Sequence, residues 1–163
     1  MARRTKLHKL RWARIAKRAP TFAPQRRTAA QLRGLAYEKK ILRALQVFFG
    51  EHALVIERPW IEFQDAAGWG ICQPDALIIP NNEAEHAVII EIKLTHKAGA
   101  EGKLREFYGP LIARAFKGRR WKFAQVFRNC GRGGDPSSSM VVLIDFERLV
   151  GADYEYTTCQ FRG

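Results

Sequence analysis

The sequence predicts an α/β or α+β fold in which helices flank a mixed central sheet. Two amphipathic segments of helix length alternate with apolar runs of strand length, in the order helix, strands, helix, strand, strand. The 163 residues are 47% apolar, which is enough for one domain with a sizeable core. No apolar run reaches the roughly 18 to 20 residues that span a bilayer, so we expect no membrane partner.

The net charge of +12 is concentrated in the first quarter of the chain. Residues 1–43 hold 14 of the 28 Lys and Arg and one acid, Glu38, whereas residues 44–163 hold 14 basic and 15 acidic side chains. Such a segment suits a polyanion, and nucleic acid is the expected partner. The candidate contacts are all cationic: Arg3, Arg4, Lys6, Lys9, Arg11, Arg14, Lys17, Arg18, Arg26 and Arg27.

We expect residues 1–30 to form a basic arm and linker and residues 31–163 to form the domain. Residues 5–18 are compatible with a short basic helix, which Pro20 and Pro24 would end, since proline disfavours helical backbone in the residue before it. A solubilising tail and an organelle-targeting peptide are the alternatives for this basic start. Its Arg-rich, acid-free composition leaves mitochondrial targeting open, although it contains no serine up to Arg18.

The first regular element is a helix over residues 31–49. Leu35, Leu42 and Leu45 recur at helical spacing, and Gly50 follows as a stop signal. Glu38 falls on the apolar stripe, where it either pairs with a neighbouring base or serves a site. Strands are predicted at 53–58 and 60–63.

The most informative stretch runs from Pro74 to Lys93. Two apolar runs flank a polar turn at residues 81–85, which predicts two adjacent strands. Asp75 opens the first strand, and Glu91 and Lys93 lie in the second. Because side chains alternate along a strand, Glu91 and Lys93 project from one face, roughly 7 Å apart. Buried charges need partners or a metal, so this arrangement predicts a site.

The remaining elements are a second helix, two strands and an edge strand. The helix is predicted at 103–116, with a kink where Gly109 and Pro110 interrupt it. Strands follow at 121–127 and 140–146, and an edge strand is predicted around 154–161. The three cysteines are widely spaced and form no ligand pattern with the four histidines, which disfavours zinc and disulfides and favours a reducing, cytoplasm-like compartment.

Glu38, Asp75, Glu91 and Lys93 together point to phosphodiester chemistry. Acids without histidine suit Mg²⁺ or Mn²⁺, which take carboxylate oxygens. Such an ion beside a phosphodiester polarises the phosphoryl oxygen and lowers the pKa of a bound water. A neighbouring lysine orients that water and offsets developing negative charge.

Pro74-Asp75, fifteen intervening residues and Glu91-Ile92-Lys93, preceded by a helix carrying Glu38, resemble the PD-(D/E)xK nuclease superfamily. The resemblance covers roughly residues 31–127 and implies a restriction-endonuclease-like αβββαβ core. It implies that Asp75, Glu91 and the Ile92 carbonyl bind the metal, that Lys93 orients the attacking water, and that Glu38 completes the metal shell or assists a second ion.

The resemblance also implies a subclass. Small size and a basic arm are similar to Holliday-junction resolvases of DNA recombination, which implies a structure-selective DNA endonuclease and a homodimer. Tyr108 matches part of the Gln-x-x-x-Tyr pattern of the superfamily's exonucleases, but Leu104 stands at the Gln position. Lys97, Lys103 and Arg105 are further candidate phosphate contacts. The alternatives are an exonuclease of this superfamily, a non-catalytic nucleic-acid-binding protein and a ribonucleoprotein component.

Overall fold

The computed structural model describes residues 2–3, 6–22, 26–94, 102–128, 139–144 and 155–159. Of residues 2–3, 139–144 and 155–159 only the backbone is described. The fold is mixed α+β, with two sheets rather than the single sheet that the sequence predicts. In the described part of the chain, no helix is both long and apolar enough to cross a membrane.

The larger sheet has six strands in the spatial order β10-β9-β8-β7-β6-β3. Neighbouring strands are antiparallel except β7 and β8, which are parallel and are therefore joined by a helical crossover. In chain order the strands are β3 (Ala53–Glu57), β6 (Ala76–Pro80), β7 (Ala87–Lys93), β8 (Trp121–Arg128), β9 (Ser139–Ile144) and β10 (Glu155–Cys159). The adjacent pair β6 and β7 and the edge strand β10 confirm the corresponding sequence predictions.

The smaller sheet has four strands in the order β1-β5-β4-β2. They are β1 (Ala2–Arg3), β2 (Trp12–Ile15), β4 (Ile61–Asp65) and β5 (Gly68–Cys72). Strands β4 and β5 form a hairpin. Along the sequence this hairpin lies between β3 and β6, two strands of the larger sheet.

Strand β2 corrects the expected basic helix over residues 5–18. Trp12–Ile15 pairs antiparallel with β4, and Ala13 is buried in the core. Leu7, Leu10 and Ile15 make only a weak helical stripe, so pairing with an open sheet edge overrides the helical tendency. The boundary between an arm at 1–30 and a domain at 31–163 stays a prediction.

Helix α1 (Ala29–Phe49) covers one face of the larger sheet. It begins two residues earlier than predicted, because Thr28 and Gln31 form a capping box in which each side chain accepts the other residue's backbone N–H. Ile41, Leu42 and Leu45 pack against the buried side chains of the sheet.

The opposite face of the larger sheet carries a π-helical segment, Lys103–Tyr108, that continues directly into α2, Gly109–Ala115. The hydrogen-bonding pattern changes at Gly109, beside Pro110, which lacks an amide donor. The sequence predicts a kink at this dipeptide, but it does not predict the π-helical geometry before it. The smaller sheet packs on this face through Ile61 and Phe63.

Gly70 provides a test of how the smaller sheet packs. A Cβ at Gly70 would overlap the fully buried Phe63 ring on the neighbouring strand. We expect Gly70→Ala to lower the free energy of unfolding by about 1–3 kcal/mol, because the ring has no room to move. Gly34→Ala in α1 is the matched control, since nothing lies within 4 Å of its Cβ, and it should stabilise by about 0.5–1 kcal/mol. Urea unfolding of both variants measures the difference, and a Gly70→Ala protein as stable as the unmodified one would contradict this packing.

Candidate active site

The candidate site lies at one end of the larger sheet, where β7 ends and β6 begins. Antiparallel pairing of these strands brings Asp75, which precedes β6, next to the last residues of β7. The Ile92 backbone N–H donates to Asp75 Oδ2 over 2.6 Å and fixes this carboxylate at the sheet end. The structure therefore brings together the Asp and the Glu-Ile-Lys motif that the sequence singles out.

Lys93 joins the two acids. Its Nζ lies 2.6 Å from Glu91 Oε1 and 3.6 Å from Asp75 Oδ2, and it also donates to the Ile92 carbonyl over 3.2 Å. Glu91 and Lys93 share one face of β7, as the alternation of side chains predicts. The ammonium thus offsets two carboxylates that would otherwise repel each other.

A second lysine reaches the same glutamate from the π-helical segment. Lys103 Nζ lies 2.9 Å from Glu91 Oε1 and 4.6 Å from the centre of the Tyr108 ring. Residues five apart share a side of a π-helix, so this geometry aligns the lysine with the ring. The Tyr108 hydroxyl donates to the Gln73 carbonyl over 2.8 Å, and the tyrosine is buried. Tyr108 therefore positions the lysine and does not open to solvent.

Glu91 is 1% exposed and keeps one oxygen without a protein partner. Oε1 receives both lysines, whereas Oε2 has no hydrogen bond among the described residues. A buried acceptor without a partner costs free energy, and Oε2 therefore has the capacity to accept one further hydrogen bond or ligand. The contacts described for Asp75 likewise all end on Oδ2.

Gln125 is a site residue that the sequence analysis missed. It lies opposite Glu91 in the parallel pairing of β7 and β8, it is buried, and its Nε2 has no hydrogen-bond partner among the described residues. The buried polar residues described are Asp65, Glu91 and Gln125. Asp65 has a structural role away from Glu91 and Gln125, because it caps a turn by accepting the N–H groups of His8 and Ala67. The sequence signal that could have identified Gln125 was its lone amide side chain within the apolar strand β8.

Glu38 faces the same region from α1, but an arginine holds it. Arg58 Nε lies 2.7 Å from Glu38 Oε1, and Arg58 adopts a left-handed backbone with φ of 47°. The Arg58 backbone N–H donates to the Asp75 carbonyl, and Gln73 Nε2 donates to the Arg58 carbonyl. A residue in this conformation is strained unless its surroundings fix it. Arg58 was not predicted as a site residue.

An open cleft of about 730 Å³, named here the Asp75 cleft, is lined by Asp75, Lys93, Glu38 and Arg58, whereas Glu91 is not among its lining residues. Its charged lining comprises four cations and two acids: Arg26, Arg27, Arg58, Lys93, Glu38 and Asp75. Phe22 and Trp60 form an aromatic rim on its other side. The net positive charge of the lining favours a polyanion, while the two acids pair with Arg58 and Lys93.

Burial raises the pKa of Asp75 from 3.8 to about 6, and the negative charges of Glu91 and Glu38 add to the rise. The Lys93 ammonium and the Ile92 N–H oppose it by favouring the ionised carboxylate. Burial alone would lower the pKa of Lys93, but the charges of Glu91 and Asp75 and the hydrogen bonds to them outweigh it and raise that pKa. Lys93 is therefore a cation at neutral pH.

The predicted nucleic-acid contacts lie in several places. Arg26 and Arg27 line the Asp75 cleft, and Arg14 pairs with Glu62 on the smaller sheet. The other exposed members of the set near β2 are Lys6, Lys9, Arg11, Lys17 and Arg18. Arg105 is partly buried in the π-helical segment. Arg4, Lys97 and the side chain of Arg3 lie outside the described residues.

The donor set fits a hard divalent ion held partly by solvent and substrate. Within the described residues, no three His, Cys, Asp or Glu side chains form a metal-binding group. Mg²⁺ is usually held by one or two carboxylates plus waters and phosphates. Asp75 and Glu91 each keep an oxygen that accepts no described hydrogen bond. Those two acids are compatible with such an ion, whereas Glu38 is held by Arg58.

No family model, curated protein or solved structure matches this chain.

The raised pKa of Asp75 gives a test of the site's electrostatics. Between about pH 4 and about pH 6 the folded state keeps a proton on Asp75 that the unfolded state releases, so this carboxyl makes stability fall as the pH rises. We expect the stability of Asp75→Asn relative to the unmodified protein to increase across this interval by up to about 3 kcal/mol. Urea unfolding at several pH values measures this difference, and a difference that stays constant or decreases would contradict the assignment.

Proposed function

We propose that the protein is a metal-dependent endonuclease that hydrolyses DNA phosphodiester bonds in the Asp75 cleft. One observation carries the proposal: Lys93 lies within 3.6 Å of both Asp75 and Glu91, beside a cleft that Arg26 and Arg27 line. The PD-(D/E)xK resemblance implies that a lysine beside two acids serves phosphodiester hydrolysis, and arginine side chains suit phosphate.

The order of elements also supports the proposal. Helix α1 is followed by the antiparallel strands β3, β6 and β7, then by the π-helical segment with α2, and then by β8 parallel to β7. The PD-(D/E)xK resemblance implies this αβββαβ order, with the acids on the two middle strands. The β4–β5 hairpin is an insertion between the first and second of these strands.

Asp75, Glu91 and the Ile92 carbonyl are the groups that would hold Mg²⁺ or Mn²⁺. When bound, such an ion polarises the phosphoryl oxygen and acidifies water. The unpartnered Oε2 of Glu91 supports this assignment, because it is a buried acceptor with capacity for another ligand. The pKa of Asp75, although raised to about 6, still lies below neutral pH, so this carboxylate is mostly ionised there and able to act as a ligand.

The chain's own residues supply positioning and charge. The Lys93 ammonium has three donors, which face Glu91, the Ile92 carbonyl and Asp75. The contact with Asp75 is the longest, at 3.6 Å, so in this proposal that donor turns to a water and orients it toward the phosphorus. In hydrolysis the water oxygen forms a bond to phosphorus and gives up a proton, the bond from phosphorus to the leaving sugar oxygen breaks, and that oxygen takes up a proton. Arg26 and Arg27 hold the flanking phosphates and reduce the charge that develops.

Selectivity for branched or junction DNA, and a homodimer that makes paired incisions, are parts of the same proposal. An exonuclease is the weaker form, because Leu104, at the position where the exonuclease pattern has Gln, is a buried apolar residue. A non-catalytic nucleic-acid-binding protein is the second candidate. It is favoured by the ion pairing of all three acids, Glu38 with Arg58 and the other two with Lys93.

Removing either central residue tests the proposal. We expect Asp75→Ala and Lys93→Ala each to reduce Mg²⁺-dependent cleavage by about 100-fold or more, while DNA binding is largely retained. The assay compares duplex, single-stranded, flap and four-way-junction DNA with and without Mg²⁺. Lys117→Ala, an exposed lysine beyond α2, is the matched control and should cut normally. Undiminished cleavage by both site variants rejects the mechanism, and absence of Mg²⁺-dependent cleavage of every DNA form favours the binding protein.

A further inference from the structure

The smaller sheet has an outward face that the proposed reaction does not use. Along β4, Ile61, Phe63 and Asp65 are buried, so Glu62 and Gln64 project to the opposite side, together with Trp60 directly before the strand. On the neighbouring strand β2, Ala13 points inward while its two flanking residues point outward. The outward face therefore presents polar and aromatic side chains.

Two tryptophans meet on this face. Gln64 on the central strand β4 is paired with Trp12 of β2 on one side and with Trp69 of β5 on the other. Their ring centres are 4.7 Å apart at an angle of 74°, and Trp12 Nε1 donates to Gln64 Oε1 over 2.9 Å. Trp69 is nevertheless 52% exposed. The pair is held in a fixed orientation with one indole largely open to solvent.

The surroundings of the two rings are cationic. The Arg14 guanidinium lies 5.4 Å from the centre of the Trp12 ring and makes two hydrogen bonds to Glu62 Oε2, which offsets that acid's charge. Residues 6–18, which include β2, hold six Lys and Arg and no acid. Lys9 and Arg11 beside Trp12 are exposed. Trp12, Trp69 and Arg14 are named here the tryptophan platform.

The tryptophan platform and the Asp75 cleft occupy two ends of the same face. Trp60 lines the cleft and lies 5.5 Å, centre to centre, from the exposed ring of Phe22. Trp60 and Gln64 are four residues apart in extended backbone, which corresponds to about 13 Å. A strand of nucleic acid that leaves the cleft over Trp60 would therefore meet Arg14 and then the two indoles.

We propose that the tryptophan platform binds an unpaired DNA strand by base stacking. Exposed aromatic rings next to cations hold single strands, since every base has a face that stacks and every nucleotide carries a phosphate. A duplex keeps its base faces buried, so the platform selects unpaired bases. Stacking by itself does not depend on cleavage. The further step, that the bound strand continues from DNA cut in the cleft, rests on the proposed nuclease function and specifies its substrate as DNA with a single-stranded segment beside the cut.

The test measures binding of a fluorescently labelled single-stranded oligothymidine by anisotropy, without divalent ions so that no cleavage occurs. We expect Trp69→Ala in the full chain to weaken single-strand binding by about 5-fold or more. Duplex affinity should change by less than about 2-fold, because phosphate contacts dominate there. Phe48→Ala removes another exposed aromatic residue, at the end of α1, and is the matched control that should bind normally.

Trp69→Phe separates stacking from folding, because phenylalanine keeps an aromatic face at the same position. We expect it to bind the single strand within about 2-fold of the unmodified protein. Equal single-strand affinity for Trp69→Ala and the unmodified protein would overturn the proposal, and so would an equal loss for single strand and duplex. If the protein cuts no DNA but Trp69→Ala still weakens single-strand binding, the proposed nuclease function is refuted and the proposed binding by the tryptophan platform is supported.

Discussion

The pairing of Glu91 with Lys93 is the interaction on which the site depends. A carboxylate with 1% exposure in the middle of an apolar strand would be too costly without a cation, and Lys93 Nζ lies 2.6 Å away. The same ammonium reaches Asp75, which joins the end of β7 to the start of β6. Lys103 adds a second cation, so the position of the π-helical segment is also tied to this glutamate. The sheet end and the helix over it are thus organised around one buried charge.

This arrangement lowers the stability of the folded state relative to a sheet end packed with apolar side chains. Burial beside two other acids raises the pKa of Asp75, so the ionised form destabilises the fold at neutral pH. Left-handed Arg58 and the unpartnered oxygen of Glu91 add to that cost. Strain, perturbed ionisation and unsatisfied buried groups at neighbouring residues are typical of functional sites and unusual in purely structural ones. A ligand that binds both acids would offset part of the cost.

Much of the fold follows from local patterns. The alternation of β7 places Glu91 and Lys93 on one face, and the stripe of Leu42 and Leu45 predicts α1. Strand β2 could not be predicted, since its pairing with β4 is a tertiary contact that no local period encodes. The residues that contact the predicted acids could not be predicted from the sequence either. Arg58 reaches Glu38 across 20 residues, and Gln125 meets Glu91 only through the parallel pairing of β7 and β8. Asp75 and Glu91 were found because their charges interrupt apolar strands.

We propose that Asp75 and Glu91 bind a divalent metal ion, and a titration with Mn²⁺ followed by electron paramagnetic resonance tests this binding without reference to activity. We expect the unmodified protein to bind Mn²⁺, Asp75→Asn and Glu91→Gln to lose this binding, and Lys93→Ala to retain it, because that variant keeps both carboxylates and removes the competing ammonium. Absence of Mn²⁺ binding by both the unmodified protein and Lys93→Ala would contradict this metal site, and so would Asp75→Asn and Glu91→Gln variants that bind Mn²⁺ as tightly as the unmodified protein.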